Sequence, residues 1–243
     1  MDKLREPEAL GAPFGSGKNS LLERIRAVNS EVRALRKELD KPSSYYGIPY
    51  AQMMEYHAII SAAKASKFIE GWLAHLIGGK KIETALVEEQ FKQNDVGDIW
   101  AGDNLKIGTN NIEVKCIMRP DSGTIGGEQF RFYDPVPWYM LFKGWDHERY
   151  DMFLLTKEQL VEEIILRAQS GKSAFRSSQG SGVINKLTPE QKIQRIHDNV
   201  AGRYADKLGW TFNADTEPDI YNRFVEKYRV EPNQVKALIN LPG

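Results

Sequence analysis

The chain is short of cysteine, of net charge and of long apolar runs. One cysteine, Cys116, stands among 243 residues, which excludes a disulfide framework and any zinc site built on several thiolates. The histidines, His57, His75, His147 and His197, form no pair at metal-ligating spacing, and Asp146-His147-Glu148 reads as a solvated turn rather than a ligand set. No apolar stretch reaches the length that a membrane crossing needs, and Met1 to Glu8 holds no apolar signal core. The expectation is a cytoplasmic protein without a membrane. Lys plus Arg and Asp plus Glu number 33 each, so the formal charge is zero, and any surface for a polyanion has to be local.

What is present is ordinary for a globular chain: 41% hydrophobic and 27% charged residues. Gly11 to Ser20 imitates a phosphate-binding loop, but Ala12 and Asn19 replace the glycine and hydroxyl it requires and no strand precedes it; a flexible leader is expected. The most informative stretch is Gly97 to Met118. Two β-type runs, Asp98 to Ala101 and Asn111 to Met118, flank a segment rich in Gly, Asn and Asp, the signature of a hairpin. In the second run Ile112, Val114 and Cys116 alternate with Glu113 and Lys115, so the apolar three take the core and the charged two share the other face. Pairing of the strands brings Asp98 beside Glu113. Two neighbouring carboxylates repel and are tolerable when a cation sits between them, and Mg²⁺ suits such a pair because it takes few carboxylates and leaves its other positions to water and phosphate. The bland alternative is an exposed hairpin with a charge pair on its solvent face.

Asp98, Glu113 and Lys115, with Glu-Val-Lys on a strand after an Asp-led strand, resemble the PD-(D/E)xK nuclease superfamily, which includes many type II restriction endonucleases. The family pattern usually has Pro before the aspartate; Gly97 stands there, and Asp95 is a rival first ligand. Glu190-Gln191-Lys192 also fits the tripeptide, but it follows Thr188-Pro189, a helix start. The resemblance implies a metal held by Asp98 and Glu113 with the Val114 carbonyl, and Lys115 acting on the attacking water and the phosphate. It also implies a helical glutamate completing the site. Glu70 looks like that residue, since a long helix from about Tyr50 to Ile77 puts it on one stripe with Ile59, Ala63, Ser66, Leu73 and Ile77; the other reading is a stripe-edge residue reaching water or Lys67.

The remaining chain reads in order. Ser20-Leu-Leu-Glu23 is a capping box opening a helix to about Asp40, whose Leu21, Ile25, Val28, Val32, Leu35 and Leu39 form a heptad seam for another helix of its own domain or of a second copy. Thr84 to Phe91 is a candidate first strand. Arg119 to Gly127 reads as a polar loop, any helix in the aromatic segment after it starts near Val136, Arg149 to Thr156 reads as a buried strand and Lys157 to Ala168 as a helix. That order, αβββαβ, matches the superfamily core over roughly residues 55 to 156, under half of the chain. Ile164 to Pro189 has no acidic residue and is either a flexible link or a loop that orders on DNA through Lys172, Arg176, Ser177, Ser178 and Gln179. Arg119, Gln129 and Arg131 are further candidates for DNA contact, with a core-rim role open for the last two. Thr188 caps a helix expected to end at Gly209, and helices follow near Glu217 to Tyr228 and Pro232 to Asn240.

The expected organisation is an α+β protein: leader and helix in 1–49, a nuclease core with a mixed sheet in 50–168, a basic loop in 169–187 and a helical subdomain in 188–243. The expected function is an Mg²⁺-dependent endodeoxyribonuclease, with Mn²⁺ as a substitute, acting on double-stranded DNA as a homodimer. A sequence-specific restriction enzyme is preferred over a repair, resolvase or phage-type nuclease; a non-catalytic binding module that keeps the fold is the alternative from another class.

Overall fold

The computed structural model describes residues 17–39, 47–59, 62–82, 95–102, 108–170, 187–203 and 208–240. Contacts divide the chain into two units, 1–44 and 45–243. In the first, helix α1 spans Gly17–Leu39 and so begins before Ser20, which puts that residue inside the helix rather than at its cap. Its Leu21, Ile25, Val28 and Leu35 are exposed.

The second unit runs α2 (Tyr50–Ile59), α3 (Ala62–Leu76), β1 (Lys80–Lys81), β2 (Ile99–Trp100), β3 (Asn111–Ile117), β4 (Thr124–Phe130), β5 (Trp138–Gly144) and β6 (Tyr150–Thr156). Then come α4 (Lys157–Gln169), α5 (Pro189–Val200), β7 (Leu208–Asn213), α6 (Pro218–Tyr228) and α7 (Pro232–Ile239). The architecture is mixed α/β. Five strands form a mixed sheet in the order β1-β2-β3-β5-β6, antiparallel except for β3 beside β5.

Three expectations are corrected here. Trp138–Gly144 is a strand and no helix starts near Val136, so the αβββαβ order lacks its second helix. The run is buried from Tyr139 to Gly144, and a short continuous apolar run suits a strand covered on both faces as well as a buried helix. Thr124 to Gly127 belong to β4 rather than to a loop, because β4 pairs with β7 far along the chain. For the same reason the helix opened by Thr188 stops at Val200, with Leu208 and Gly209 already in β7. The candidate strand Thr84 to Phe91 lies outside the described residues, as do residues 60–61 within the expected long helix.

The capping boxes at Thr156 with Gln159 and Thr188 with Gln191 fix the starts of α4 and α5 by reciprocal side-chain and backbone hydrogen bonds. Both faces of the large sheet are covered. Register partners share a face, so Glu113 and Lys115 stand beside Tyr139 and Leu141, which pack in one core with Phe130, Leu160, Ile196, Trp210 and Phe224. Val114 and Cys116 stand beside Met140 and Phe142 on the opposite face, where Trp72 of α3 meets Phe142 edge-on.

Candidate active site

Asp98 is held where β1, β2 and β3 meet. Its amide donates to the Ile112 carbonyl at 2.8 Å and its carbonyl accepts from the Ile82 amide at 2.9 Å. Its carboxylate Oδ2 accepts from the Val114 amide at 2.8 Å. Gly97 makes this approach possible. Its φ is +84° and a Cβ there would lie 2.8 Å from the Ile112 carbonyl oxygen; proline, locked near about −65°, has no access to that conformation. The amide and carbonyl of one strand residue point to the same edge, so the Val114 carbonyl lies on the Asp98 side of β3.

Asn111 fixes the approach from behind. Wholly buried, it donates from Nδ2 to the carbonyls of Val96 and Pro135, each at 2.8 Å, and accepts the Gly108 amide at 2.8 Å. One side chain thus ties the loop ahead of Asp98 to the start of β3. Sequence reasoning missed it; its one signal was an Asn at the turn-to-strand junction, where its amide can bond to nearby backbone.

Glu113 and Lys115 project from one face of β3 and form an ion pair. They are not on a solvent face: their side chains keep 13% and 18% exposure. Gly127 of β4 presses on the lysine stem, since a Cβ there would come 2.6 Å from Lys115 Cβ. Burial and then the charges of Glu113 and Glu70 push Asp98 well above the usual carboxylate range, against the opposing effects of Lys115 and the Val114 amide. Burial also raises Glu113, although Lys115 pulls it down. For Lys115 burial acts downward, but Glu113 and Asp98 outweigh it and the ammonium stays protonated above its ordinary value. Burial, followed by the charges of Glu70 and Asp98, likewise raises the Cys116 thiol. It is therefore neutral, no nucleophile or metal ligand as it stands.

Glu70 stands on α3 close enough for its charge to reach Asp98, Glu113 and Cys116. Its partner is Lys81, with Nζ 3.1 Å from Oε2. This lysine was missed because nothing in the sequence says that β1 folds back onto α3. Asp95 is directed elsewhere: its Oδ1 accepts the Gly97 amide at 3.1 Å and its Oδ2 lies 3.7 Å from Arg131. Asp134, also missed, is 3% exposed, and its Oδ1 has no hydrogen-bond partner among the described residues. Burial and then Asp95 raise it to about 6.

Of the candidate DNA contacts, Arg119 and Gln129 are exposed and Arg131 is half-buried. Gln129 adopts φ 67° in a bulge where Glu128 and Gln129 together face Gly209, between the pairs Gly127↔Trp210 and Phe130↔Leu208. Lys172, Arg176, Ser177, Ser178 and Gln179 lie outside the described residues. Glu190 to Lys192 sit in the first turn of α5, on a helix as expected.

Among the described residues no group of three His, Cys, Asp or Glu side chains forms a ready-made metal cage. The pair Asp98 and Glu113 nevertheless fits an ion that needs few protein ligands. Each carboxylate is desolvated and raised by its like-charged neighbours, and each has one oxygen directed to a donor of the chain, the Val114 amide or the Lys115 ammonium. No helix among the described residues is long and apolar enough to cross a membrane. Comparison with family models, characterised proteins and solved structures finds no match for this chain.

Proposed function

We propose that the chain is an Mg²⁺-dependent endonuclease of double-stranded DNA with a restriction-endonuclease-like catalytic hairpin. One observation carries the reading: two largely covered, mutually repelling carboxylates, Asp98 and Glu113, share a site with Lys115, the protonated lysine two residues beyond Glu113 on β3. Such an arrangement is unfavourable for the free protein and becomes favourable when a divalent cation arrives. The sheet supports the reading in part, because β2, β3 and β5 follow the antiparallel and then parallel pairing of that core, while the crossover from β3 to β5 runs through β4 in place of a helix.

Asp98, Glu113 and the Val114 carbonyl would hold the ion. When bound it supplies a polarised water and neutralises the phosphate. The chain does the rest. The Val114 amide keeps Asp98 turned toward β3, and Glu113 keeps the Lys115 ammonium at the site. Lys115, being protonated, donates hydrogen bonds to the attacking water and to a phosphate oxygen, where negative charge grows in the transition state. The water oxygen bonds to phosphorus as the bond to the leaving oxygen breaks, and the proton that the water gives up passes through solvent to the leaving oxygen.

A sequence-specific restriction enzyme is the preferred member of the class. Arg119, Gln129 and Arg131 follow the catalytic strand closely enough to meet the duplex, and the exposed seam of α1 suits pairing with a second copy, one site per strand. The test is incubation with mixed plasmid and phage DNA, with and without Mg²⁺. Discrete fragments that vanish in Lys115→Ala support the reading. Smears would make the enzyme a non-specific nuclease, and intact DNA with retained binding would favour a non-catalytic module.

A further inference from the structure

The strand that covers Lys115 carries one residue more than its ladder needs. Along β7 the core takes Leu208, Trp210 and Phe212, and β4 sets Ile125 opposite Phe212 and Gly127 opposite Trp210. Regular alternation would then put Gln129 opposite Leu208, in the core. The ladder resumes instead at Phe130↔Leu208, so an extra residue is taken up between Gly127 and Phe130. Phe130 is thereby wholly buried, and the neighbours Glu128 and Gln129 are both exposed. Gln129 holds this place at φ 67°, the one positive φ outside glycine among the described residues. Glycine would adopt that conformation without the steric penalty that a side chain brings.

Both flanks of the bulge are fixed to residues that frame the candidate site. On one flank Gly127 rests on the Lys115 stem, where a Cβ would come 2.6 Å from Lys115 Cβ. On the other, Arg131 lies 3.7 Å from Asp95 Oδ2, and Asp95 Oδ1 accepts the amide of Gly97, the residue before Asp98. Gln129 stands midway between these two contacts. Bulges beside active sites serve to re-aim a side chain, and a strained polar residue at such a place has a use that glycine would not serve. Its amide carries a donor and an acceptor side by side, which matches N6 and N7 of adenine in the major groove. The exposed carboxylate of Glu128 next to it disfavours the alternative, a phosphate contact.

We infer that Gln129 is a specificity-determining residue of the proposed nuclease, and that the β4 bulge presents its side-chain amide to the edge of an adenine. The inference rests on the nuclease reading above and adds to it a residue that selects sequence.

The experiment uses the full chain and a randomised DNA duplex library, bound in Ca²⁺ and sequenced after selection, with plasmid cleavage in Mg²⁺ followed alongside. The unmodified chain is expected to favour adenine at one position by about tenfold or more, as one bidentate contact gives. Gln129→Gly relaxes the backbone and removes the amide. It should unfold at no lower denaturant concentration than the unmodified chain and lose that preference, its affinity for favoured sites falling to that for the rest. Gln129→Glu leaves an acceptor only and should move the preference from adenine to cytosine; it also decides the matter where Gln129→Gly does not fold. Either variant overturns the inference by keeping the adenine preference. So does a Gln129→Gly whose affinity falls evenly over all sequences, the mark of a phosphate contact. The unmodified chain separates the two levels. Cleavage in Mg²⁺ without any base preference sinks only the role of Gln129; a chain that neither binds nor cuts DNA sinks the nuclease reading as well.

Discussion

Largely covered carboxylates occur in two regions of residues 45–243, and the two are equipped differently. On the C-terminal side, Glu163 receives both terminal guanidinium nitrogens of Arg223, at 2.6 and 2.5 Å, and the Tyr228 hydroxyl at 2.9 Å. Asp151 receives Trp145 Nε1 at 2.6 Å and the Tyr221 hydroxyl at 2.7 Å, and lies 3.3 Å from Arg229. Glu217 takes Arg167 in the same forked manner, plus the Asn213 amide. Each acid joins α4, β6 or β7 to its neighbours and has its cation built in. At the hairpin, Asp98 receives one backbone amide and faces Glu113 and Glu70 across a desolvated space. Desolvation is common to both regions; the arginine partner is what marks the C-terminal acids as clamps, and the hairpin acids, which have no arginine partner among the described residues, are the pair that the proposed metal site draws on.

The comparison can be broken by substitutions whose effects on stability should have opposite signs. The largest is expected at Glu163→Ala, which leaves Tyr228 and Arg223 without their acceptor and should cost about 3 kcal/mol in denaturant unfolding. Asp98→Asn and Glu113→Gln should do the reverse. In metal-free buffer near neutral pH Asp98→Asn should stabilise the fold by about 1 kcal/mol, because it removes one member of a repelling, largely covered pair; Glu113→Gln should gain less, because it also takes the ion pair from Lys115, and on the proposed reading both abolish cleavage. If either destabilises as Glu163→Ala does, the hairpin acids are structural clamps and the distinction fails.

A smaller effect sharpens the comparison through pH. A carboxyl group raised by folding binds more protons in the native than in the unfolded state, so its contribution to stability is greatest in acid and is lost as pH rises. For Asp134 the window runs from the ordinary carboxylate value of about 4 to about 6, and Asp134→Asn should flatten that part of a plot of stability against pH. A variant that unfolds with the unmodified slope across this window would show that the acid is not raised. The smallest change is expected at Asp95→Asn. Its carboxylate is directed to the Gly97 amide and Arg131, so cleavage should continue near the normal rate; a dead variant, with Asp98→Asn active, would exchange the two aspartates in the assignment.

The hairpin was legible because it is local. Alternation of Ile112, Val114 and Cys116 with Glu113 and Lys115 sets the faces, and the Ile99↔Ile112 register follows from the short connection. Helix α5 announced its start through the cap at Thr188, and α4 was legible from Lys157, for the same reason. What stayed hidden depends on partners distant in the chain. Trp138 to Gly144 carries an apolar run that fits a helix or a strand, and only its place between β3 and β6 decides. Thr124 to Gly127 is rich in glycine and reads as a loop until β7 supplies its ladder. Lys81 and Asp134 are ordinary charged residues in the sequence; the one acquires meaning from an ion pair across a chain reversal, the other from burial without a hydrogen bond at Oδ1.

The pairing of β4 with β7 has a consequence for how the protein is made. Gly127, the residue that closes over the Lys115 stem, stands opposite Trp210, so a chain leaving the ribosome completes the β2–β3 hairpin long before it can close the strand above it. Domains fold as their parts emerge, and non-local strand pairings come late. A chain interrupted before Leu208 would carry Asp98, Glu113 and Lys115 without the second strand that secures their cover. The residues from Leu208 onward are thereby required before the cover over Lys115 is secured, and on the proposed reading an unfinished copy carries an incomplete site.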